Sequence, residues 1–445
     1  MQNNPKKTGI IYLWDLPKNI TYLDLEKNYK KELLETAKNL AGNKWNDLAR
    51  KLKIPIPKDN GSTLIRIFRK GSLTSLHFIK KLSKFLIENN KNKFSLENIQ
   101  KNIIYLSVKR GKHKILDPKF PMNFNSKEGA TIISCLYHDG GIDVRDKAPF
   151  YSNISKELRE RFFKSINLTI GKIGVTSIKK YNYKEVCCPK IIGIILITLG
   201  LVPGRRPINN PKFPEFVFKY NSELIYEFLS QAIADDGWIY CPSNKFGFIS
   251  MNFTIDLTKF PEEFRQKVKK EKIEEHIPNI LLGNKKLFEK IGSKVEGPYF
   301  KTEWRYNKNN KLVKYTQEWQ INIRDWWSVK FLSKKLKIPL EYKQEKLKEI
   351  AKKERSVIRC NPKLLKIIGK LRSGFVCNDI LRKDNSHNNR TIRYQLKCFC
   401  EDEFLKRVRF SGGRDAQFKY FLTNKGKEKL NLLGTKNEKI HENML

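Results

Sequence analysis

Two stretches of the sequence share one local logic, IISCLYHDG at 132–140 and LSQAIADDG at 229–237. In each, an apolar stretch that reads as a helix runs into Asp-Gly and then into an extended chain. One Asp-Gly at a helix end is a routine stop, because glycine supplies the left-handed conformation that closes a helix. The pair is another matter: Asp139 and Asp236 stand 97 positions apart at the same point of a helix-to-strand transition. If the two helices pack side by side, small residues such as Ser134, Ser230 and Ala234 let the backbones approach, and both carboxylates emerge at one end. Two carboxylates held close are costly unless a cation sits between or beside them. Oxygen ligands favour Mg2+ (or Mn2+), which keeps waters and a substrate phosphate in its shell. Such a site activates water and stabilises a leaving oxygen, as phosphodiester hydrolysis requires, with one aspartate serving each strand. No residue reads as a covalent nucleophile.

The elements that must position these acids repeat. Around the first motif the pattern predicts a helix at 127–139, extended segments within 142–154, a helix at 156–170, strands within 175–186 and an apolar helix after Pro189. Around the second it predicts a helix at 222–236, a strand from Trp238, the alternating FGFISMNFTID (246–256), a helix near 279–291, and strands at 299–306 and 319–323. A helix-plus-antiparallel-sheet unit occurring twice implies pseudo-twofold symmetry. Residues 100–125 read as a connector that ends extended, because Pro118 and Pro121 exclude a continuous helix, and a domain boundary lies there.

On either side lie segments of different character. Residues 31–88 have helical spacing, broken by Pro55, Pro57 and Gly61, and carry Arg66, Arg69, Lys70, Lys80 and Lys81; a helix-turn-helix DNA reader and a plain three-helix bundle fit equally. From Pro362 onward, helices at 362–372 and 389–400, a ribbon turning at Ser411-Gly412-Gly413 and a closing helix describe a winged helix. Arg390, Arg393, Gln395 and Lys397 fall on its presumed recognition helix. The domains expected are 1–114, helical; 115–212 and 213–353, the two repeats; and 354–445, winged-helix-like.

Lys and Arg number 89 against 46 Asp and Glu, a net charge of +43. Bases outnumber acids almost two to one, so a polyanionic partner, nucleic acid first, is expected. Eight cysteines contain no C-x-x-C pair and only six histidines accompany them, so a structural zinc site is not expected and the thiols read as reduced, in a cytoplasmic protein. The longest apolar run, 191–202, is about 12 residues, too short to span a bilayer, and no membrane partner is expected.

IISCLYHDG and LSQAIADDG resemble the paired motifs of the LAGLIDADG homing endonucleases, particularly the double-motif archaeal and intein-type members, over roughly residues 115–350. The lead-in KILDPKFPMNFNSKEGATI and the linker GLVPGRRPINNPKFPEFVF resemble the corresponding family segments, and IPLEYKQEKLKEI resembles the one carrying the catalytic-site lysine. The resemblance implies an α+β fold of two αββαββα units whose sheets form a saddle over double-stranded DNA, with the motif helices as interface. It implies metal held by Asp139 and Asp236, with Gly140 and Gly237 beside them. Lys343 inherits the lysine's role, supported by Gln344; Arg206 is its counterpart in the first half, with Lys212 in reserve. Saddle contacts to phosphates and base edges would come from Lys179, Lys180 and Lys184 in the first half, and Lys301, Arg305 and Arg324 in the second. His138 and Asp235 stand where the family usually has a small residue. The chain reads as a free-standing monomer, lacking an intein's terminal nucleophile and His-Asn. Some relatives keep the fold without the acids and act as transcription regulators or intron-RNA maturases, the alternative reading here.

Overall fold

The computed structural model describes residues 4–53, 73–109, 113–173, 179–181, 185–242, 247–259, 261–263, 277–306, 312–353, 360–371, 373–383, 389–409 and 418–433. They form a mixed α+β protein of two compact units. The first comprises Met1–Trp238, Ser250–Asn322 and Leu336–Gln344; the second comprises Ile239–Ile249, Ile323–Lys335 and Glu345–Leu445.

The first unit opens with α1 (Pro5–Thr8), β1 (Ile10–Ile11), β2 (Thr21–Leu25), α2 (Lys27–Ala41), α3 (Trp45–Lys51), β3 (Thr74–Ser75), α4 (Leu76–Glu88), α5 (Leu96–Lys101) and β4 (Ile103–Val108). The N-terminal segment is therefore not all-helical. Thr21, Leu23 and Leu25 alternate inward along β2, which pairs antiparallel with β3 and β4. That sheet runs in the order β3-β2-β4-β5-β9, taking in β5 (Ile115–Leu116) and β9 (Lys172–Ile173), while β1 pairs with β6 (Met122–Asn123). Two of the basic residues of this segment bond within it. The Lys80 and Lys81 ammonium groups donate to the carbonyls of Trp14 (2.7 Å) and Lys53 (3.0 Å). Pro55, Pro57, Gly61, Arg66, Arg69 and Lys70 lie outside the described residues.

The repeat predicted from the sequence is present as an element order. One pass runs α6 (Lys127–Tyr137), β7 (Gly140–Ile142), β8 (Pro149–Ser152), α7 (Lys156–Thr169), β10 (Lys179–Tyr181), β11 (Glu185–Cys187) and α8 (Lys190–Thr198), with β9 serving the other sheet. After the single-turn α9 (Arg206–Asn209), the second pass runs α10 (Ser222–Asp236), β12 (Gly237–Tyr240), β13 (Phe248–Asp256), α11 (Asn279–Lys290), β14 (Glu296–Tyr306), β15 (Leu312–Ile323) and α12 (Trp326–Lys335). The sheets are ordered β7-β8-β11-β10 and β12-β13-β15-β14. Both place their strands first, second, fourth, third.

Helices α6 and α10 pack face to face through Ile132, Ile133, Leu229, Ala232 and Ile233, all fully buried. The small residue expected to allow close approach does so at Ser134, whose hydroxyl donates to the Phe228 carbonyl across the interface at 2.9 Å. Thr131 donates to Glu227 at 2.8 Å, and Arg161 from α7 pairs with the same carboxylate.

Helix α13 (Glu341–Lys352) begins in the first unit and from Glu345 belongs to the second, which continues with α14 (Pro362–Gly369), α15 (Cys377–Leu381), α16 (Asn389–Glu401), β16 (Leu405–Arg409), β17 (Phe418–Leu422) and α17 (Asn424–Leu432). The sequence reading had two helices before the ribbon; α15 makes three, and Phe375 bridges to Tyr420 as a further strand contact. Leu364, Leu365, Ile392, Leu396, Phe399 and Leu430 build its core with Trp327. Gln395, expected on the presumed recognition helix, does lie on α16 but is buried, its side-chain oxygen accepting from the Asn361 amide at 2.8 Å. The Ser411-Gly412-Gly413 turn lies outside the described residues.

Gly129 tests the α6 entry. A Cβ there would sit 2.5 Å from the Phe124 Cα and carbonyl oxygen, atoms that cannot swing aside. Helix propensity favours alanine by about 1 kcal/mol, but overlap with backbone costs about 1–3 kcal/mol. Gly129→Ala is expected to lower the melting temperature by several degrees; a rise would show that the segment before α6 yields freely.

Candidate active site

The two acidic motifs converge. Asp236 is the last residue of α10, and Asp139 follows the last turn of α6 after His138. Both glycines that follow are needed: a Cβ on Gly140 would lie 2.6 Å from the Phe150 carbonyl oxygen, and one on Gly237 2.6 Å from the Ile233 Cα. Each chain turns from helix to strand where a side chain has no room.

Burial raises the proton affinity of both aspartates. Asp236 is pushed up to about 6 by desolvation, against the opposing pull of Arg206 and Lys343. Asp139 is raised by desolvation and then by the negative charge of Asp236. The Asn153 amide partly offsets this by donating to Asp139 Oδ2 at 2.6 Å, and the Ser152 amide donates to the Asp139 carbonyl at 3.2 Å.

Arg206 and Lys343, expected as charge-stabilising cations, stand at equivalent places. Arg206 donates to the carbonyls of Tyr137 (2.5 Å) and His138 at the end of α6. Lys343 donates to those of Ile233 (2.8 Å), Ala234 (2.7 Å) and Gly237 (2.7 Å) at the end of α10. Each cation meets carbonyls at a helix C-terminus, where the dipole favours positive charge. The Gly237 carbonyl, one of the oxygens expected beside a metal, is thus already an ammonium acceptor. Gln344 supports from behind, its side-chain oxygen accepting from the Ile338 amide at 2.7 Å.

The positions preceding the aspartates have taken different solutions. His138 is fully buried and desolvation lowers its pKa to about 4, so the ring is neutral. Its Nδ1 lies 2.7 Å from the Ser134 carbonyl and its Nε2 3.0 Å from the Asn284 amide, which assigns the proton to Nδ1 and makes Nε2 the acceptor. Asp235, in the other motif, accepts from the Tyr151 hydroxyl at 2.6 Å and from Gln231 Nε2 at 3.0 Å. Its Oδ2 and the Gln231 Oε1 are buried without a hydrogen-bond partner. Desolvation, then the charge of Asp139, raises Asp235 well above the usual carboxyl range. Tyr151 lies on β8, so each penultimate residue takes a partner from the opposite repeat. Sequence reading noted His138 and Asp235 only as departures and missed Tyr151, Asn153 and Gln231. Gln231 stands four residues before Asp235, a spacing that could have signalled the pair.

The other predicted residues are distributed. Lys212 is exposed, and its carbonyl accepts from the Tyr137 hydroxyl at 2.8 Å. Lys179 and Lys180 lie on β10 and Arg305 on β14; Lys184 lies outside the described residues. Lys301 is exposed on β14 opposite Glu318, and Arg324 is exposed with its guanidinium 4.8 Å from the Phe248 ring. Arg390, Arg393 and Lys397 are exposed on α16. One further feature was not anticipated. On β13 and β15, Asn252 donates to Glu318 (2.8 Å), and Gln320 donates to Ser250 (2.7 Å) and Asn322 (2.9 Å), a ladder of polar side chains along one sheet face.

Among the described residues no group of three or more His, Cys, Asp and Glu side chains forms a ready metal cage. Two carboxylates that oppose each other's ionisation are nonetheless a donor set suited to Mg2+, which takes few protein oxygens and fills its shell with water and phosphate. No protein-family model matches the sequence, and comparison with curated proteins finds none similar to it. Among the described residues, no helix is long and apolar enough to cross a membrane.

The raised pKa of Asp236 has a signed consequence. The folded chain holds this proton more tightly than the unfolded chain, so the group favours folding fully below the ordinary carboxyl pKa of 3.8, and that contribution is lost as pH rises through about 6. Above that, the ionised carboxylate opposes folding. In metal-free buffer at pH 8, Asp236→Asn is expected to stabilise the protein by about 1–3 kcal/mol, with no gain at pH 4, as read by urea unfolding. Equal stability at both pH values would place the carboxylate in ordinary solvent.

Proposed function

We propose that this chain is a metal-dependent, site-specific endonuclease of double-stranded DNA, of the LAGLIDADG homing type. The observation that carries the reading is the electrostatic coupling of Asp139 to Asp236 at the ends of two packed helices, each heading a unit with the same strand order. On this reading Asp139 and Asp236 hold Mg2+ (or Mn2+), which supplies Lewis-acid activation of water and neutralisation of developing charge. The chain's own residues do the rest. Asn153 fixes the orientation of the Asp139 carboxylate. Arg206 and Lys343 hold the two helix ends in place and keep positive charge beside the acids, which favours their ionised forms. The two sheets present side chains to the duplex: exposed Lys301 to phosphates, and the partly exposed Asn252 and Gln320, held by hydrogen bonds to Glu318 and to the buried Ser250, to base edges. The net charge of +43 supplies affinity for the polyanion.

A second reading, a DNA-binding regulator or intron-RNA maturase that does not cut, draws support from Arg206 and Lys343, whose donors go to helix carbonyls.

Cleavage of a plasmid library in Mg2+ separates the two. Discrete double-strand cuts are expected from the wild type, with Asp139→Asn and Asp236→Asn binding normally but cutting at least about 100-fold more slowly or only nicking. Salt-sensitive binding with no cut by the wild type would remove the endonuclease reading in favour of the regulator or maturase.

A further inference from the structure

The second unit carries a basic surface of its own, separate in composition from the acidic site. Helix α16 spans 13 residues, about 20 Å of rise. Arg390, Arg393, Tyr394 and Lys397 are spaced i, i+3, i+4, i+7 along it and all are exposed, Tyr394 by 57%. They form one stripe, while Ile392, Leu396 and Phe399 on the opposite side enter the core. The stripe is therefore fixed by the packing of the helix.

Beyond the C-terminal end of α16 an open cleft of about 700 Å3 is lined by Lys397, Cys400, Lys406, Arg407, Thr423 and Lys425, with Glu401 and Glu403 at its rim. The two acids are matched locally, Glu401 by Lys397 (3.8 Å) and Glu403 by Lys425 (3.0 Å). Lys406 and Arg407 are exposed on β16, and the Arg407 guanidinium lies 5.0 Å from the Phe418 ring, which limits its swing. The cleft thus carries two further cations on β16 beside a basic helix stripe.

We propose that this surface is a second DNA-binding site, which places the Arg390–Lys397 stripe of α16 in a major groove while Lys406 and Arg407 hold the flanking phosphates. Duplex DNA is the partner chosen because a convex helical stripe enters the wide major groove of B-DNA, whereas the A-form groove of duplex RNA is too deep and narrow to admit it. Side chains on a helix reach base edges; cations on the neighbouring ribbon reach the backbone. The inference rests on the DNA reading above for its polymer, yet it concerns binding alone. Two DNA-binding surfaces on one chain multiply affinity through effective concentration.

The test uses the full chain in EDTA, so that no cleavage intervenes. Affinity for a labelled random-sequence DNA duplex, and for an RNA duplex of equal length, is measured by fluorescence anisotropy from about 50 to about 200 mM KCl. The Lys406→Gln/Arg407→Gln variant is expected to flatten the salt dependence of DNA binding by about 0.9 per lost phosphate contact. The Arg390→Gln/Arg393→Gln/Lys397→Gln variant is expected to lose about tenfold or more in DNA affinity, with melting temperatures unchanged because all five residues are exposed. Should a multiple variant melt early, Arg407→Gln alone carries the same slope test. Unchanged affinity and slope in the variants would overturn the proposal, as would equal losses on the RNA duplex, which would make the surface an RNA site. A protein that binds in this way and never cuts DNA leaves it standing and removes only the endonuclease reading.

Discussion

The rest of the first unit depends on the close packing of α6 against α10, which forces carboxylates into a poorly solvated place. The competing magnitudes explain why the arrangement survives. Removing an ion from water costs several kcal/mol even after relaxation, and here three aspartates, 139, 235 and 236, all have raised proton affinities. Against that stand fully buried Ile132, Ile133, Leu229 and Ile233 on the same helix pair, each contributing about 1.5–3 kcal/mol. The apolar seam offsets much of that cost, so the protein carries an electrostatically unfavourable end on a hydrophobically secure interface. A site poised in this way gains most from whatever neutralises it.

The neutralising is partly done within the chain, and differently in the two halves. Arg206 and Lys343 come from segments that follow their repeats, and each secures the helix end of its own half. The preceding positions diverge: a neutral His138 bonded to Asn284, against an acidic Asp235 held by Tyr151 and Gln231. Because each of these reaches into the opposite repeat, neither half can shift without disturbing the other's aspartate. The orphaned Asp235 Oδ2 is a buried polar atom of the kind that costs about 1–3 kcal/mol, so the rest of the interface must over-determine its position.

Local periodicity made most of this legible. The helix at 222–236 emerged with its predicted bounds, and those at 156–170 and 279–291 end one residue earlier, at Thr169 and Lys290. The repeated order survived because each element carries its own pattern of burial. What failed was non-local. Residues 103–108, IIYLSV, belonged to a stretch read as a connector, since a short apolar run gives no period until its partner strands, Thr21–Leu25 and Ile115–Leu116, are known. In sequence Gln395 groups with the basic residues of the presumed recognition helix, whereas its partner, the Asn361 amide, is 34 positions away. The aspartates, Arg206 and Lys343 were found from motifs in sequence; Tyr151 and Asn153 were not, because their roles exist only once a strand has been brought beside a helix end.

The charge distribution finally separates affinity from chemistry. On the DNA-binding reading, a surplus of 43 positive charges would attract any nucleic acid with little regard to sequence, and such attraction alone would hold the chain on random DNA. Discrimination needs side chains that hydrogen-bond base edges, and these must be neutral enough not to add further indiscriminate attraction. On that reading Asn252 and Gln320 have that character, and their hydrogen bonds to Glu318 and to the buried Ser250 and Asn322 pre-order the groups they present. On the same reading the aspartates would take the opposite part, repelling phosphate until a divalent cation reversed the local sign. On the endonuclease reading, binding would therefore proceed on the strength of the basic surface in the absence of metal, and only the acidic helix ends would make cutting conditional on it.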